Sequence, residues 1–550
     1  MTAFRTFLLL LLGLLSGCQR PQSPPDTVFV GRFVTLDVVD PEVEAIAVAD
    51  GRIVAAGTRA AVLALSGKET KRIDVPGIAV PGWIDAHVHV SGLGSSIETL
   101  NVERMTKEAI AQAVAAAAQK TPAGDWITGR GWDEGYFAKR EDPTAADLDP
   151  LSPQHPVMLS GIGQHSVWVN SRALERAGIT SETPDPPGGR IVRDAAGRPT
   201  GLLLEEAQKL VTAVMADTNT EAARERRIRV ALDQYVRWGL TGIHDAGTEL
   251  EDIAILKRLL DNGELPVRVY AMAYGDKAIE HYLENGPEID AGDGRLTVRS
   301  FKIYVDGALG SRGAELSAPY SDAQQTSGLR QMQDAELDRF IRRAKEKRFQ
   351  VNAHAIGDLG VQRVLDAIER NRVGAAGRYR IEHASMIAPK DLQRFRKLGV
   401  IASMQPVFIG EYSRWGKERV GPDRAAWLMP IADVVLTGAV LASGTDYPAS
   451  DSGDPRATLN ALVTRTGFDG KPAEGFFPRQ RVDVDTALWS MSGGPAYAAF
   501  QENDLGKLTI GRYADFTVLG EDPRQASKER LTRIPVLMTV VGGKVTRTAR

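Results

Sequence analysis

Apolar residues recur along this chain in two alternating rhythms that predict most of its architecture. Short apolar runs bounded by polar turns read as strands, and longer stretches with apolar residues every three or four positions read as amphipathic helices. The strand-like runs are 78–90, 240–246, 267–274, 300–305, 350–354, 379–383, 400–404 and 439–446. Helical stretches at 334–347, 359–371 and 389–398 fall between them. Eight strands alternating with helices predict an α/β chain built on a (β/α)8 TIM-like barrel, for which roughly 250 residues suffice.

The rhythm changes at both ends. Residues 27–36 and 45–56, the second run carrying an Asp50-Gly51 turn, read as short strands of a hairpin type. A similar pattern returns only at 508–519 and 536–545, so both chain ends are expected to build one small β-sandwich from residues 27–79 and 501–550. The barrel then takes its first strand and loop from 80–99 and the remainder from 236–500. Residues 100–235 are too long for one crossover and predict an insertion domain over the barrel mouth, with strands of its own near 126–132 and 157–160.

Charge adds little, since 67 Lys and Arg face 70 Asp and Glu. Without a basic or acidic excess, nucleic acid is not an expected partner, and a small-molecule substrate is. The oligomeric state stays open. The N-terminus is more specific: one early basic residue, Arg5, precedes a Leu-rich run ending in Leu15-Ser16-Gly17-Cys18. That run is shorter than the roughly 20 residues of a spanning helix and reads as an export signal over residues 1–18. It resembles the bacterial lipobox, in which the cysteine becomes the lipid-bearing first residue. Cys18 is the only cysteine, so no internal disulfide or cysteine-based zinc cluster is available. With 19–26 as a tether, the chain is expected in the bacterial cell envelope, lipid-anchored through Cys18 on the periplasmic or surface side.

The chemistry gathers at the ends of the strands, where barrel active sites form. Residues two apart in a strand share a face, so His87 and His89 pair at the end of the first. Lys302 stands on the fourth strand, His354 on the fifth, His383 on the sixth and Asp446 on the eighth, so four of the chain's eight histidines lie on strand ends. One such histidine would be ordinary packing; this set predicts a divalent metal site.

These residues fall within motifs that resemble the amidohydrolase superfamily, specifically amidohydrolase family 3, the branch that includes N-substituted formamide deformylases. The motifs are Pro81-Gly-Trp-Ile-Asp-Ala-His-Val-His89, Gly129-Arg-Gly-Trp-Asp-Glu134, His165-Ser-Val-Trp-Val-Asn-Ser171, Lys302 through Arg312, Asn352-Ala-His354, Ile381-Glu-His383, Gly444-Thr-Asp446 and Gly511 through Leu519. The resemblance implies that His87, His89 and Asp446 hold one divalent ion, zinc by type, and His354 and His383 a second. It also implies that Lys302 bridges the two as a carbamate. The alternative for Lys302 is an unmodified lysine binding a substrate carboxylate or supporting a one-metal site. The implied reaction is metal-assisted hydrolysis of a non-peptide carbon–nitrogen bond of amide type, with Asp446 as proton acceptor, or as ligand only.

Further candidates carry competing readings. His165 either contacts substrate or orders its loop, and His244 either supports the site or packs. Arg312 pairs with an anionic substrate group or is a solvated loop arginine, and Trp132 lines a lid or packs. Two rival functions remain: a deaminase on the same scaffold, and a non-catalytic surface-binding or regulatory lipoprotein.

Overall fold

Eight parallel strands form the centre of the molecule: β1 (Trp83–Val88), β2 (Leu240–Thr248), β3 (Arg268–Ala273), β4 (Leu296–Tyr304), β5 (Gln350–Ala355), β6 (Arg380–His383), β7 (Ile401–Met404) and β8 (Leu441–Ser443). They pair in sequential order from β1 to β8 in this computed structural model, which describes residues 23–548 apart from 104, 140, 162–165, 188 and 216–219. Every residue of β1, β3, β5 and β6 is buried, as expected where helices cover a parallel sheet. The outer helices supply the matching stripes; Asp334–Glu346, for example, buries Leu337, Ile341 and Ala344.

The barrel closes between β8 and β1 through side chains as well as backbone. Asp446 N donates to His87 O at 2.7 Å. The Asp85 carboxylate accepts from Thr445 N at 3.0 Å, Thr445 Oγ1 at 2.7 Å and His87 N at 3.1 Å. The approach is so close that a Cβ on Gly444 would stand 2.6 Å from His87 N. Only glycine fits there.

The insertion has its own six-stranded sheet, in the order Gly189–Arg193, Pro199–Glu205, Ser166–Val169, Val157–Gly161, Ile127–Trp132, Leu100–Asn101. Helix Glu221–Arg237, which the sequence reading places inside the insertion, belongs to the barrel. Its stripe of Ile228, Ala231, Leu232, Tyr235 and Val236 joins the barrel's hydrophobic core.

The chain ends do come together, as one continuous seven-stranded sheet. Its order is Lys544–Thr548, Val536–Val541, Phe516–Leu519, Lys71–Pro81, Thr27–Val34, Glu42–Ala49, Arg52–Gly57. Ile53 and Met538, from opposite halves of that order, share one core with Phe29 and Phe516, so the sheet curls upon itself. Lys71–Pro81 runs almost directly into β1, and the buried Arg268–Asp515 ion pair, at 2.7 Å, ties the sheet to the barrel. Residues 1–18, with Cys18, lie outside the described residues. Among the described residues no helix is long and apolar enough to cross a membrane.

Candidate metal centre

The strand-end donors converge because parallel strands in sequential order present their C-terminal ends to one mouth. Donor atoms of His87, His383 and Asp446 lie within 4.8 Å of one another. His87 Nε2 is 3.3 Å from Asp446 Oδ1 and 3.3 Å from Lys302 Nζ, and His89 Nε2 is 3.0 Å from Asp446 Oδ1. The His383 ring centroid stands 4.8 Å from that of His87 and 4.4 Å from that of His354. His383 and Asp446 occupy left-handed backbone conformations, φ 75° and 60°, a strain the surrounding fold must hold in place.

A second layer sets the ring orientations. His87 Nδ1 faces Glu382 Oε2 at 2.5 Å, so its Nε2 points into the site. His383 Nδ1 pairs with Gln405 Oε1 at 2.9 Å and lies 3.9 Å from Asp446 Oδ2, and His354 Nε2 faces Gly307 O at 3.3 Å. Glu382 is in turn 2.7 Å from Arg380 Nε, and both side chains are fully buried. That contact is an ion pair off the hydrogen-bond line. Arg380 also donates to Ala86 O at 2.6 Å and Ser403 Oγ at 2.8 Å, and its Nη1 meets His244 Nδ1 at 3.0 Å.

The electrostatics suit a cation. Asp446 Oδ1 is buried without an aligned hydrogen bond although two imidazole nitrogens lie within 3.3 Å of it. Burial opposes its charge, but His87 and His89 hold the carboxyl well below the ordinary range, so it is ionised. Burial and the neighbouring Lys302 push His354 down to about 3, and burial with His354 beside it keeps His383 neutral as well. Burial also lowers the Lys302 ammonium from its usual value. The imidazoles of His354 and His383, held neutral, an ionised carboxylate and an amine inclined to lose its proton form a donor set that fits divalent metal.

Above these groups opens a cavity of about 330 Å³. His89, Lys302, His354, His383 and Asp446 line it on one side; Tyr304, Leu309, Ile356, Phe408, Glu411 and Tyr412 contribute to the rest. A larger cleft of about 700 Å³ lies between barrel and terminal sheet, around Arg268, Arg295 and Lys544, away from the convergent donors.

The other sequence candidates are placed elsewhere. Trp132 packs in the insertion core, stacked on Phe137 with centroids 6.4 Å apart and donating from Nε1 to Leu159 O, and does not line the cavity. Arg312 is engaged by Asp322 at 2.8 Å and is also absent from the lining. His244 is buried behind the site against Arg380. His165 lies outside the described residues. Sequence reading passes over Asp85, Arg380, Glu382, Gln405 and Glu411. A signal existed for two of them: Arg380 and Glu382 are charges two apart on one face of a short barrel strand, where burial requires partners.

Comparison with known proteins agrees with this geometry. The model of the amidohydrolase family matches residues 77–547. "Putative amidohydrolase YtcJ" of Bacillus subtilis (strain 168) is 32% identical over 514 residues, covering 91% of this chain and 95% of that protein. N-substituted formamide deformylase of Arthrobacter pascens is 26% identical, covering 92% and 96%. The crystal structure of an uncharacterized metal-dependent hydrolase from Pyrococcus furiosus superposes with a TM-score of 0.75 at 27% identity, covering 91% of this chain and all of that one. With its barrel, its convergent donors and these relatives, the chain belongs to the amidohydrolase family and is a metal-dependent hydrolase of that superfamily.

Proposed function

We propose that the protein hydrolyses a carbon–nitrogen bond, other than a peptide bond, in a small amide. The observation that carries this reading is the convergence of His89, His354, His383, Lys302 and Asp446 on one cavity of small-molecule size, with His87 buried beside Lys302 and Asp446. The relative named as a formamide deformylase supports the bond type. His87, His89 and Asp446 would hold one divalent ion, zinc by ligand type, and His354 and His383 a second. A bound divalent ion lowers the pKa of a coordinated water and polarises a carbonyl oxygen.

The chain's own residues do the rest. Buried Lys302, inclined toward the neutral amine, could form an N–C bond to carbon dioxide with release of a proton, and the resulting carbamate, one negative charge shared by two oxygens, would offer a ligand to both ions. Asp446 Oδ1 faces His87 and His89, so Oδ2 is the atom that accepts the proton of the attacking water and returns it to the leaving nitrogen. Glu382 keeps His87 in the tautomer with Nε2 free for metal. In this reading the protein is exported and lipid-anchored through Cys18.

The test is metal analysis of the chain lacking residues 1–18, with a panel of formamides, N-acyl amino acids and other amides assayed on the same preparation. Two ions per chain and hydrolysis abolished by Asp446→Asn are expected. Turnover that survives complete metal removal would refute the mechanism.

A further inference from the structure

Helix Ile409–Val420 follows β7 through the short 3-10 turn Pro406–Phe408 and stands over the barrel mouth. Turn and helix together lend the cavity Phe408, Glu411 and Tyr412, at a spacing of three and one. Among the described residues Glu411 is the single carboxylate in the cavity lining besides Asp446. Its neighbours there are apolar or aromatic: Leu309, Ile356, Ala449 and the stacked rings of Phe408 and Tyr412, whose centroids are 5.8 Å apart. Gly310 brings backbone close on the other side, where an added Cβ would stand 3.7 Å from Glu411 Oε1.

Glu411 has no ion-pair partner among the described residues. Arg414, one helical turn on, is drawn to Asp451 at 3.5 Å, and Asp451 adds further negative charge. Burial and Asp451 push the Glu411 carboxyl up to about 7, with Arg414 offsetting them only in part. An unpaired carboxylate beside two aromatic faces is the chemistry that receives an organic ammonium group.

We infer that this wall is a recognition site for an organic cation, so that the substrate class is an amide carrying an ammonium group apart from its scissile bond. Glu411 supplies the counter-charge, Phe408 and Tyr412 the aromatic faces, and the metal-binding side of the cavity receives the carbonyl. The assignment rests on the cavity being the substrate site of the proposed hydrolase. It is a claim about binding, and it is tested apart from turnover.

The experiment is titration calorimetry of the metal-loaded full chain with choline and with its uncharged carbon isostere 3,3-dimethyl-1-butanol. The quaternary nitrogen cannot ligate a metal, and the hydroxyl is common to both probes. The wild-type chain is expected to prefer choline. Glu411→Gln should reduce that preference by about 30-fold, the lower end of what the loss of one partner of a desolvated charge pair causes. Equal binding of the two probes by the wild-type chain, which needs no variant, would overturn the inference, as would a preference unchanged in Glu411→Gln. Choline selectivity without hydrolysis of any amide would sink the reaction and leave the cation site. Hydrolysis of neutral amides without choline selectivity would do the reverse.

Discussion

Replacing Glu382 with glutamine probes the layer beneath the metal site. The carboxylate is wholly buried and serves two groups, His87 Nδ1 at 2.5 Å and Arg380 Nε at 2.7 Å. Burial opposes its charge, yet Arg380 and His87 together hold its pKa well below the ordinary carboxylate range. A glutamine preserves the shape but removes the charge, leaving the fully buried Arg380 guanidinium without a counter-ion. Breaking a buried pair in this way costs about 3–5 kcal/mol. The substituted amide can also turn an N–H toward His87 Nδ1–H, which loosens the tautomer and ring orientation on which metal binding depends. Loss of a carboxylate behind a ligating histidine weakens metal affinity by about 10- to 100-fold. The assays are urea unfolding of the metal-free chain and competition for metal with a chromophoric chelator. Both quantities should fall in Glu382→Gln. A change in stability below about 1 kcal/mol, well short of a broken buried pair, together with wild-type metal affinity, would refute the reasoning.

Gly444→Ala should destabilise the chain by at least about 1–3 kcal/mol, the usual cost of overpacking, because the new methyl lies 2.6 Å from His87 N; thermal melting checks this. Lys302→Ala should lower the metal content per chain, and withholding carbon dioxide during reconstitution should lower it in the wild type but not in the variant, as read by elemental analysis. Glu411→Gln should stabilise the metal-free chain by at most about 3 kcal/mol at pH 8 and much less at pH 5. The sign follows from a folded pKa raised to about 7 above an unfolded carboxyl near 4.5: the native state keeps its proton longer, so wild-type stability falls as pH rises through that window. Urea midpoints measured across pH 5–8 would show a constant difference if the reasoning fails.

Local rhythm in the chain is enough to place the eight barrel strands, because strand and helix periods are properties of neighbouring residues. The convergence of His87, His89, Lys302, His354, His383 and Asp446 was legible for the same reason, since a residue's position at a strand's C-terminal end places it at the barrel mouth. Other features depend on residues distant in sequence. His87 meets Glu382 across 295 residues, and Asp85 closes the barrel on Thr445 across 360. Neither periodicity nor composition encodes such partners. Trp132 and Arg312 were indistinguishable in sequence from cavity residues until Phe137 and Asp322 were seen to engage them. The helix Glu221–Arg237 carried its apolar stripe in plain view, but only packing could show that the stripe faces the barrel. The sequence by itself determined the family, the barrel and which residues stand at its strand ends. Tertiary structure decided which partner each ring meets, how the barrel closes at Gly444, and that Glu411 stands in the cavity wall without an ion pair among the described residues, because hydrogen bonds and charge pairs form between side chains that only folding brings together.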